Sequence, residues 1–238
     1  MSLDIDAIHA ELPGRSIHYY PSIDSTMYAA APLASGSIVL ADQQTAGLGR
    51  HGHAWHSEPD NGIYCSMVLE PAPVLTLTLG LATVDAIVRA TGIACDLRWP
   101  NDVMIGAKKV AGILVQLAEG KAIAGIGINV NHAAFPPALA PEATSLAIEA
   151  GRRLSREAIL CALVPAVDSY LTHDTPTILR LFTHASSYAA GRRVRVHQAD
   201  GILEGTTAGL NPEGFLIVRK DDGTDTLVLA GGVRAAGT

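Results

Sequence analysis

Gln43-Gln44-Thr45-Ala46-Gly47-Leu48-Gly49-Arg50-His51-Gly52-His53-Ala54-Trp55 is the stretch on which the reading of this chain turns. It follows a strand-like run, Ser37-Ile38-Val39-Leu40-Ala41. Gly47, Gly49 and Gly52 let the backbone come close to a ligand and aim N–H groups at it. Arg50 adds a planar guanidinium suited to phosphate or carboxylate. The spelling G-x-G-x-x-G raises a dinucleotide fold, but that fold needs a helix directly after the glycines. Pro59 and the Asp60-Asn61-Gly62 turn forbid a long helix there, and residues 63–69 read as a strand. A Walker phosphate loop, G-x-x-x-x-G-K-[ST], is absent from the sequence. The plain alternative is a surface loop with turn glycines.

Two further stretches sharpen the reading. Leu97-Arg98-Trp99-Pro100-Asn101-Asp102-Val103-Met104-Ile105-Gly106 breaks at Pro100-Asn101-Asp102 and again at Gly106, and so reads as strand, turn, strand, hairpin. Lys109 then opens an apolar strand. Period-two alternation puts Lys109 on one face with Ala111, Ile113 and Val115. A lysine so placed either snorkels at a sheet edge or faces a pocket. Ala122-Ile123-Ala124-Gly125-Ile126-Gly127-Ile128-Asn129-Val130-Asn131 carries two glycines inside an apolar strand. Such glycines mark a close approach, so the strand is expected to floor a ligand site or else to be a small-residue core strand.

Composition bounds the function. The chain has 238 residues, 48% hydrophobic and 17% charged, which allows one large domain or one plus a small appendage. A net charge of −6 with no basic run disfavours a nucleic-acid partner. No apolar run of membrane-spanning length occurs, and the acidic N-terminus lacks a signal-peptide core. Cys65, Cys95 and Cys161 show no metal spacing and read as buried thiols of a reducing compartment. A cytoplasmic enzyme is expected.

Together the three stretches resemble the biotin protein ligases, which adenylate biotin and attach it to a carboxylase lysine. That family shows an aspartate-serine-threonine start, a glutamine and a glycine/arginine loop ending on tryptophan, a WPND hairpin with a downstream lysine, and GIGINVN. Here these are Asp24-Ser25-Thr26, Gln44, Gly47 to Trp55, Arg98 to Gly112, and Gly125 to Asn131. The resemblance runs over roughly residues 17–235. It implies an α+β fold of the class II aminoacyl-tRNA synthetase and biotin ligase type: a mixed β-sheet flanked by helices over residues 1–188, then a small SH3-like β-barrel over 189–238. The motif begins too early for a DNA-binding domain before it, so a short form without one is expected.

The rest of the chain is read by periodicity. Residues 24–33 are predicted as a short helix capped by Asp24 or Ser25, and 75–90 and 155–171 as longer helices. In the last, Ile159, Leu160, Leu163, Val167 and Leu171 share one face. Residues 131–141, with three prolines, are predicted as a loop. Short strands are predicted at 193–197, 202–210, 214–219 and 226–229. Turn signals at Ala199-Asp200-Gly201, Asn211-Pro212-Glu213-Gly214 and Asp221-Asp222-Gly223 separate them.

The resemblance also implies roles. Arg50 and Lys109 are the catalytic cations at the junction of the biotin carboxylate and the ATP α-phosphate. Biotin is assigned to Ser25, Thr26, Met27, Gln44, Gly47, Leu48, Gly49, Arg50, Tyr64, Lys109, Gly112 and Gly125. The nucleotide is assigned to Arg50, Trp55, Asn101, Lys109 and Asn129. Ser25 and Thr26 serve equally as helix caps, and Trp55 as a core anchor of its loop. Mg²⁺ is expected on the β/γ-phosphates, with Asp102 either helping to bind it or capping the hairpin. The partner implied is a biotin carboxyl carrier protein domain; a homodimer stays open. Four positions depart from the family pattern. Leu48 and His53 stand for arginines, Met27 for an asparagine and Arg98 for a lysine. The first three imply weaker adenylate retention and weaker biotin affinity. Two other readings stay open: a lipoate-type ligase, which shares the fold but carries a different signature that is not found here, and a non-catalytic biotin-binding module, which the loop departures motivate.

Overall fold

The computed structural model describes residues 1–198 and 201–236; Ala199 and Asp200 of the first C-terminal turn signal lie outside them. The elements run α1 (Ile5–Glu11), β1 (Ile17–Tyr20), α2 (Thr26–Ala30), β2 (Ile38–Ala41), β3 (Gly62–Leu69), α3 (Leu75–Thr91), β4 (Asp96–Arg98), β5 (Asp102–Ile105), β6 (Lys108–Ala118), β7 (Lys121–Asn129), α4 (Leu146–Ala150), α5 (Arg156–Leu171), α6 (Thr175–Ala185), β8 (Ala190–Gln198), β9 (Gly201–Leu210), β10 (Leu216–Arg219), β11 (Asp225–Val228) and β12 (Gly232–Ala235). The first seven strands form one sheet in the order β1-β2-β3-β7-β6-β5-β4. Only β1 and β2 pair in parallel, so the sheet is mixed, as expected. The last five form an antiparallel sheet, β11-β10-β9-β8-β12.

Strand alternation gives the large sheet two different faces. Ile63, Cys65 and Met67 of β3 and Ala122, Ala124, Ile126 and Ile128 of β7 belong to the main apolar core, which α3 and α5 cover. The alternate residues Tyr64 and Ser66, and Gly125 and Gly127, point to the other face. There only the short helix α2 packs, over a small cluster of Met27, Ala30, Val39, Val68 and Ile123. One face therefore holds the fold together and the other is left partly open. The main core continues into the second sheet through Val194, Val196, Leu216 and Val218. Trp99 Nε1 donates to the Gly214 carbonyl at 2.9 Å across that junction.

Three predicted features need adjusting. Helix α2 is shorter than residues 24–33, with Ser25 as its N-cap accepting from Met27 N at 3.3 Å. Only Cys65 is buried; Cys95 and Cys161 are half-buried. The face assigned to Lys109 is also wrong. Pairing of β5 with β6 shifts between Val103↔Ala111 and Met104↔Lys109, so Val110 is an extra, bulged residue. The bulge turns Lys109 away from Ala111 and Ile113 and onto the face of Gly112. A Cβ on Gly112 would lie 2.8 Å from Lys109 Nζ. Helices α1, α4 and α6 and strands β1 and β12 were not foreseen from periodicity.

Candidate active site

The site lies on the open face of the large sheet, and the glycine-rich loop is folded over it. Residues 47–55 make a small hairpin: Trp55 N donates to Gly47 O at 2.8 Å and Gly49 N to His53 O at 2.7 Å. Its tip, Arg50–Gly52, is a single 3₁₀ turn with His51 at φ 56°, so no dinucleotide-type helix follows the glycines. Trp55 reaches back to the sheet. A Cβ on Gly127 would come within 2.4 Å of its ring, and one on Gly112 within 2.9 Å. Both strand glycines are therefore needed for this ring to lie flat on β6 and β7. Lys109 Nζ sits 5.1 Å from the ring centroid, and Trp55 Nε1 is buried with no hydrogen-bond partner.

A chain of hydrogen bonds ties α2 to the loop. Thr26 N and Oγ1 both donate to Gln44 Oε1, at 2.9 and 3.0 Å. Gln44 Nε2 donates to Ser57 Oγ at 3.0 Å, and Ser57 to the Trp55 carbonyl at 3.3 Å. Thr26 Oγ1 also bonds Ser66 Oγ at 2.8 Å. Gly47 packs into this chain: a Cβ there would meet Trp55 O, Ser57 Oγ and Gln44 Nε2 at 2.8–3.0 Å. Ser57 and Ser66 were missed from the sequence. Ser57, two residues past the loop tryptophan, was the available signal.

The cations are held from the WPND hairpin. Arg98 pairs with Asp102 across the turn. Asp102 Oδ2 accepts from Arg98 Nη2 at 2.8 Å and Nε at 3.1 Å, and Oδ1 faces Lys109 Nζ at 2.6 Å. Burial would raise the Asp102 carboxyl, but Lys109 and Arg98 together hold it below the usual carboxylate value. Arg50 Nη1 donates to Asn101 Oδ1 at 2.9 Å, while Asn101 Nδ2 donates to Ile113 O at 3.0 Å. Burial lowers the Arg50 guanidinium from its ordinary value, with Asp102 opposing; it stays charged.

Two cavities meet here. An inner one of about 50 Å³ is lined by Ser25, Thr26, Met27, Leu48, Tyr64, Gly112 and Gly125 among others. An outer, open cleft of about 1200 Å³ is lined by Asp102, Asn129, His56, Glu58 and, from the second sheet, Gly231, Gly232 and Arg234 among others. Gln44, Gly49, Arg50, Trp55, Asn101 and Lys109 line both. The residues assigned to biotin thus gather around the inner cavity, except Gly47, which supports the loop. The outer cleft takes Asn129, and both cations stand at the boundary.

Several side chains are less free than the sequence suggested. Asn129 Nδ2 donates to the Thr144 carbonyl at 3.1 Å. Tyr64 donates to the Glu58 carbonyl at 2.8 Å, leaving its ring to face the cavity, and burial pushes its hydroxyl pKa up. Met27 and Leu48, two of the departures from the family pattern, meet in one small apolar cluster on the α2 side. They form an apolar wall where that pattern has polar groups. His53 is exposed on the loop. His132, absent from every sequence assignment, is buried, and burial plus neighbouring His56 push it down to about 4.

Comparison with known proteins agrees with the geometry. Residues 19–132 match the model described as the biotin/lipoate A/B protein ligase family, and 190–232 the biotin protein ligase C terminal domain. A bifunctional ligase/repressor of Bacillus subtilis is 33% identical over 91% of this chain and 73% of its own length. A biotin--[acetyl-CoA-carboxylase] ligase of Paracoccus denitrificans is 33% identical over 84% of this chain and 91% of its own. The solved biotin protein ligase of Aquifex aeolicus, in complex with biotin and ATP, superposes with a TM-score of 0.85 at 29% identity, covering 93% of this chain and 99% of that one. With both family models in the expected order and this identity sustained along nearly the whole chain, the chain belongs to the biotin protein ligase family.

Proposed function

We propose that this protein makes biotinyl-5′-AMP from biotin and ATP, then transfers the biotin to a lysine of a biotin carboxyl carrier protein domain. The observation that carries this reading is the position of Arg50 and Lys109 at the boundary of the two cavities. Biotin has a neutral ureido ring, an apolar body and one carboxylate. The inner cavity offers Ser25, Thr26 and Gln44 as polar groups and Met27 and Leu48 as apolar wall. With the ring inside, the carboxylate emerges between the two cations, where an α-phosphate from the outer cleft can meet it. The carboxylate oxygen attacks the α-phosphorus, the bond to the β-phosphate oxygen breaks, and pyrophosphate leaves. Two anions must approach, so positioning and cationic stabilisation supply most of the catalysis. In the second step the acceptor amine attacks the anhydride carbonyl, AMP leaves with the bonding pair, and the amine loses a proton.

Asp102 is assigned the task of holding Lys109. With Arg98 and Lys109 on its two oxygens, its donor set does not fit a metal ligand, and no step is routed through it. Mg²⁺ would accompany ATP on its β/γ-phosphates. The inner cavity, at about 50 Å³, is too small for a bicyclic ligand, since such sites run to roughly 300 Å³ or more. Trp55 and its loop must therefore shift on binding, and the loop is then able to close over the water-sensitive anhydride.

The test is transfer of labelled biotin, with ATP and Mg²⁺, to a carrier domain, with Lys109→Ala beside the wild type. Transfer that disappears in the variant supports the ligase and the role of Lys109. No transfer, with biotin still bound, would replace this reading by a binding module. Transfer of lipoate in preference to biotin would replace it by a lipoate-type ligase.

A further inference from the structure

Beside the reaction site, at the end of β7, three side chains that the ligase reading does not use converge. His56 and Glu58 follow the loop tryptophan at alternate positions, and His132 follows the GIGINVN strand. One ligating atom from each lies within 4.8 Å of the others. Three such atoms fit within about 2.8 Å of a common point, the circumradius of that triangle, against metal bonds of about 2.0–2.2 Å for histidine and carboxylate ligands. The contraction required is under about 1 Å, and His56 and Glu58 are only half-buried and free to make it.

Hydrogen bonding independently prepares His132. Tyr64 has one hydroxyl proton, and it goes to the Glu58 carbonyl at 2.8 Å. The same hydroxyl oxygen lies 3.3 Å from His132 Nε2. With that proton donated to the Glu58 carbonyl, the imidazole nitrogen is the donor, and the neutral tautomer that suits this arrangement carries its proton on Nε2. Nδ1 is left with a lone pair. Among the described residues it is buried and has no hydrogen-bond partner, although His132 itself is 0% exposed. A buried acceptor without a donor is costly and calls for a ligand. Phe135 stacks on the ring with centroids 5.2 Å apart and holds its plane. A ring nitrogen turned into a donor by a second partner, leaving the other as a bare ligand, is the usual arrangement of metal-bound histidine.

We infer that His56, Glu58 and His132 form a binding site for a borderline divalent transition-metal ion, of which Zn²⁺ is the best match. Two imidazoles and one carboxylate suit that class, and leave a fourth position for water. His56 and Glu58 line the outer cleft, which provides the entry path. The ion ties the segment after the loop tryptophan to the end of β7, so it acts as a clamp on the base of the loop.

The experiment is Zn²⁺ titration of the metal-free full-length chain in competition with a chromogenic chelator, with Co²⁺ substitution read by its d–d absorption. One ion per chain is expected, with Co²⁺ bands of a four- or five-coordinate nitrogen/oxygen site. His56→Ala and Glu58→Gln each remove one ligand from the less buried side, where folding is least at risk. Each is expected to weaken binding by at least about 10–100-fold, since even loss of an outer-shell partner costs that much. The chain has nine histidines, so Zn²⁺ bound with equal affinity in both variants would place the ion elsewhere and overturn the inference. So would absence of stoichiometric binding in the wild type. Neither result would bear on biotin transfer.

Discussion

Asp42, fully buried, and Asp102, half-buried, are both carboxylates facing cations, yet they do different work. Asp42 closes β2 and accepts from Arg156 Nη1 at 2.8 Å, from Leu3 N at 3.2 Å and from Tyr19 Oη. Arg156 in turn donates to the Gly62 and Met1 carbonyls. Both members are at most 5% exposed, and every partner is part of the protein. Asp102 instead shares its charge between Arg98, which is buried, and Lys109, which is 27% exposed at the boundary of two cavities. The first arrangement is closed on itself and joins the N-terminus, β2 and α5. The second leaves one cation facing the boundary of the two cavities, where the proposed function puts an anion. A charge pair becomes a functional one when one member still has an open side.

The sharpest way to break that contrast is Arg156→Met. Removing one partner of a buried pair leaves the other charge uncompensated, at a cost of about 3–5 kcal/mol. Urea unfolding should show that loss, while the folded fraction keeps adenylation activity. Lys109→Ala should do the reverse. Adenylate formation should fall by roughly 10²–10³-fold, as on loss of one transition-state donor, with little change in the unfolding midpoint because Arg98 still pairs Asp102. Equal stability losses in the two variants would erase the distinction.

Asp102→Asn probes the same pair through pH. The native carboxyl is held below its ordinary value, so its contribution is complete above the unfolded pKa of about 3.9 and is lost as pH falls through the native value. The stability gap between wild type and variant should therefore be flat at neutral pH and close only below about pH 4. A gap that widened toward acid would mean a carboxyl already protonated in the native state. The smallest effect is expected from His53→Arg, which restores one exposed cation on the open side of the site. Adenylate retention should lengthen by about two- to five-fold, the worth of one exposed ion pair, and the gain should fade with salt. A salt-independent gain would point to packing instead. Trp55 gives a direct readout of loop movement: emission should change on biotin binding, and Trp55→Phe should abolish the change, since Trp99 is buried against Gly214.

Much was legible because the informative residues are local. The break at Pro100-Asn101-Asp102 is turn chemistry, so the WPND hairpin could be drawn from sequence. The glycines of β7 could be read as a floor because a Cβ at Gly127 collides with whatever lies above it. Lys109 was named but set on the wrong face. A one-residue bulge at Val110 leaves no mark on an apolar strand, and it reverses the alternation. Met27 and Leu48 were treated as separate departures, because nothing in 20 intervening residues says that they belong to one apolar cluster. His132 carried no pattern at all: the polar side chains around its ring, Tyr64, His56 and Glu58, lie more than 60 residues away in sequence.

The sequence by itself determined the family resemblance, through motif order along the chain; that resemblance implied the mixed-sheet architecture and pointed to Arg50 and Lys109, while turn residues and periodicity marked only the individual strands, helices and hairpins. Tertiary structure alone decided which groups stay free. Alternation of β3, β6 and β7 put the apolar core on one face and the glycine floor on the other, a bulge brought Lys109 over it, and Asp102 fixed it there. Whether a charge is spent within the fold or kept for a ligand depends on what surrounds it in three dimensions. That surrounding is assembled from strands and loops distant in sequence.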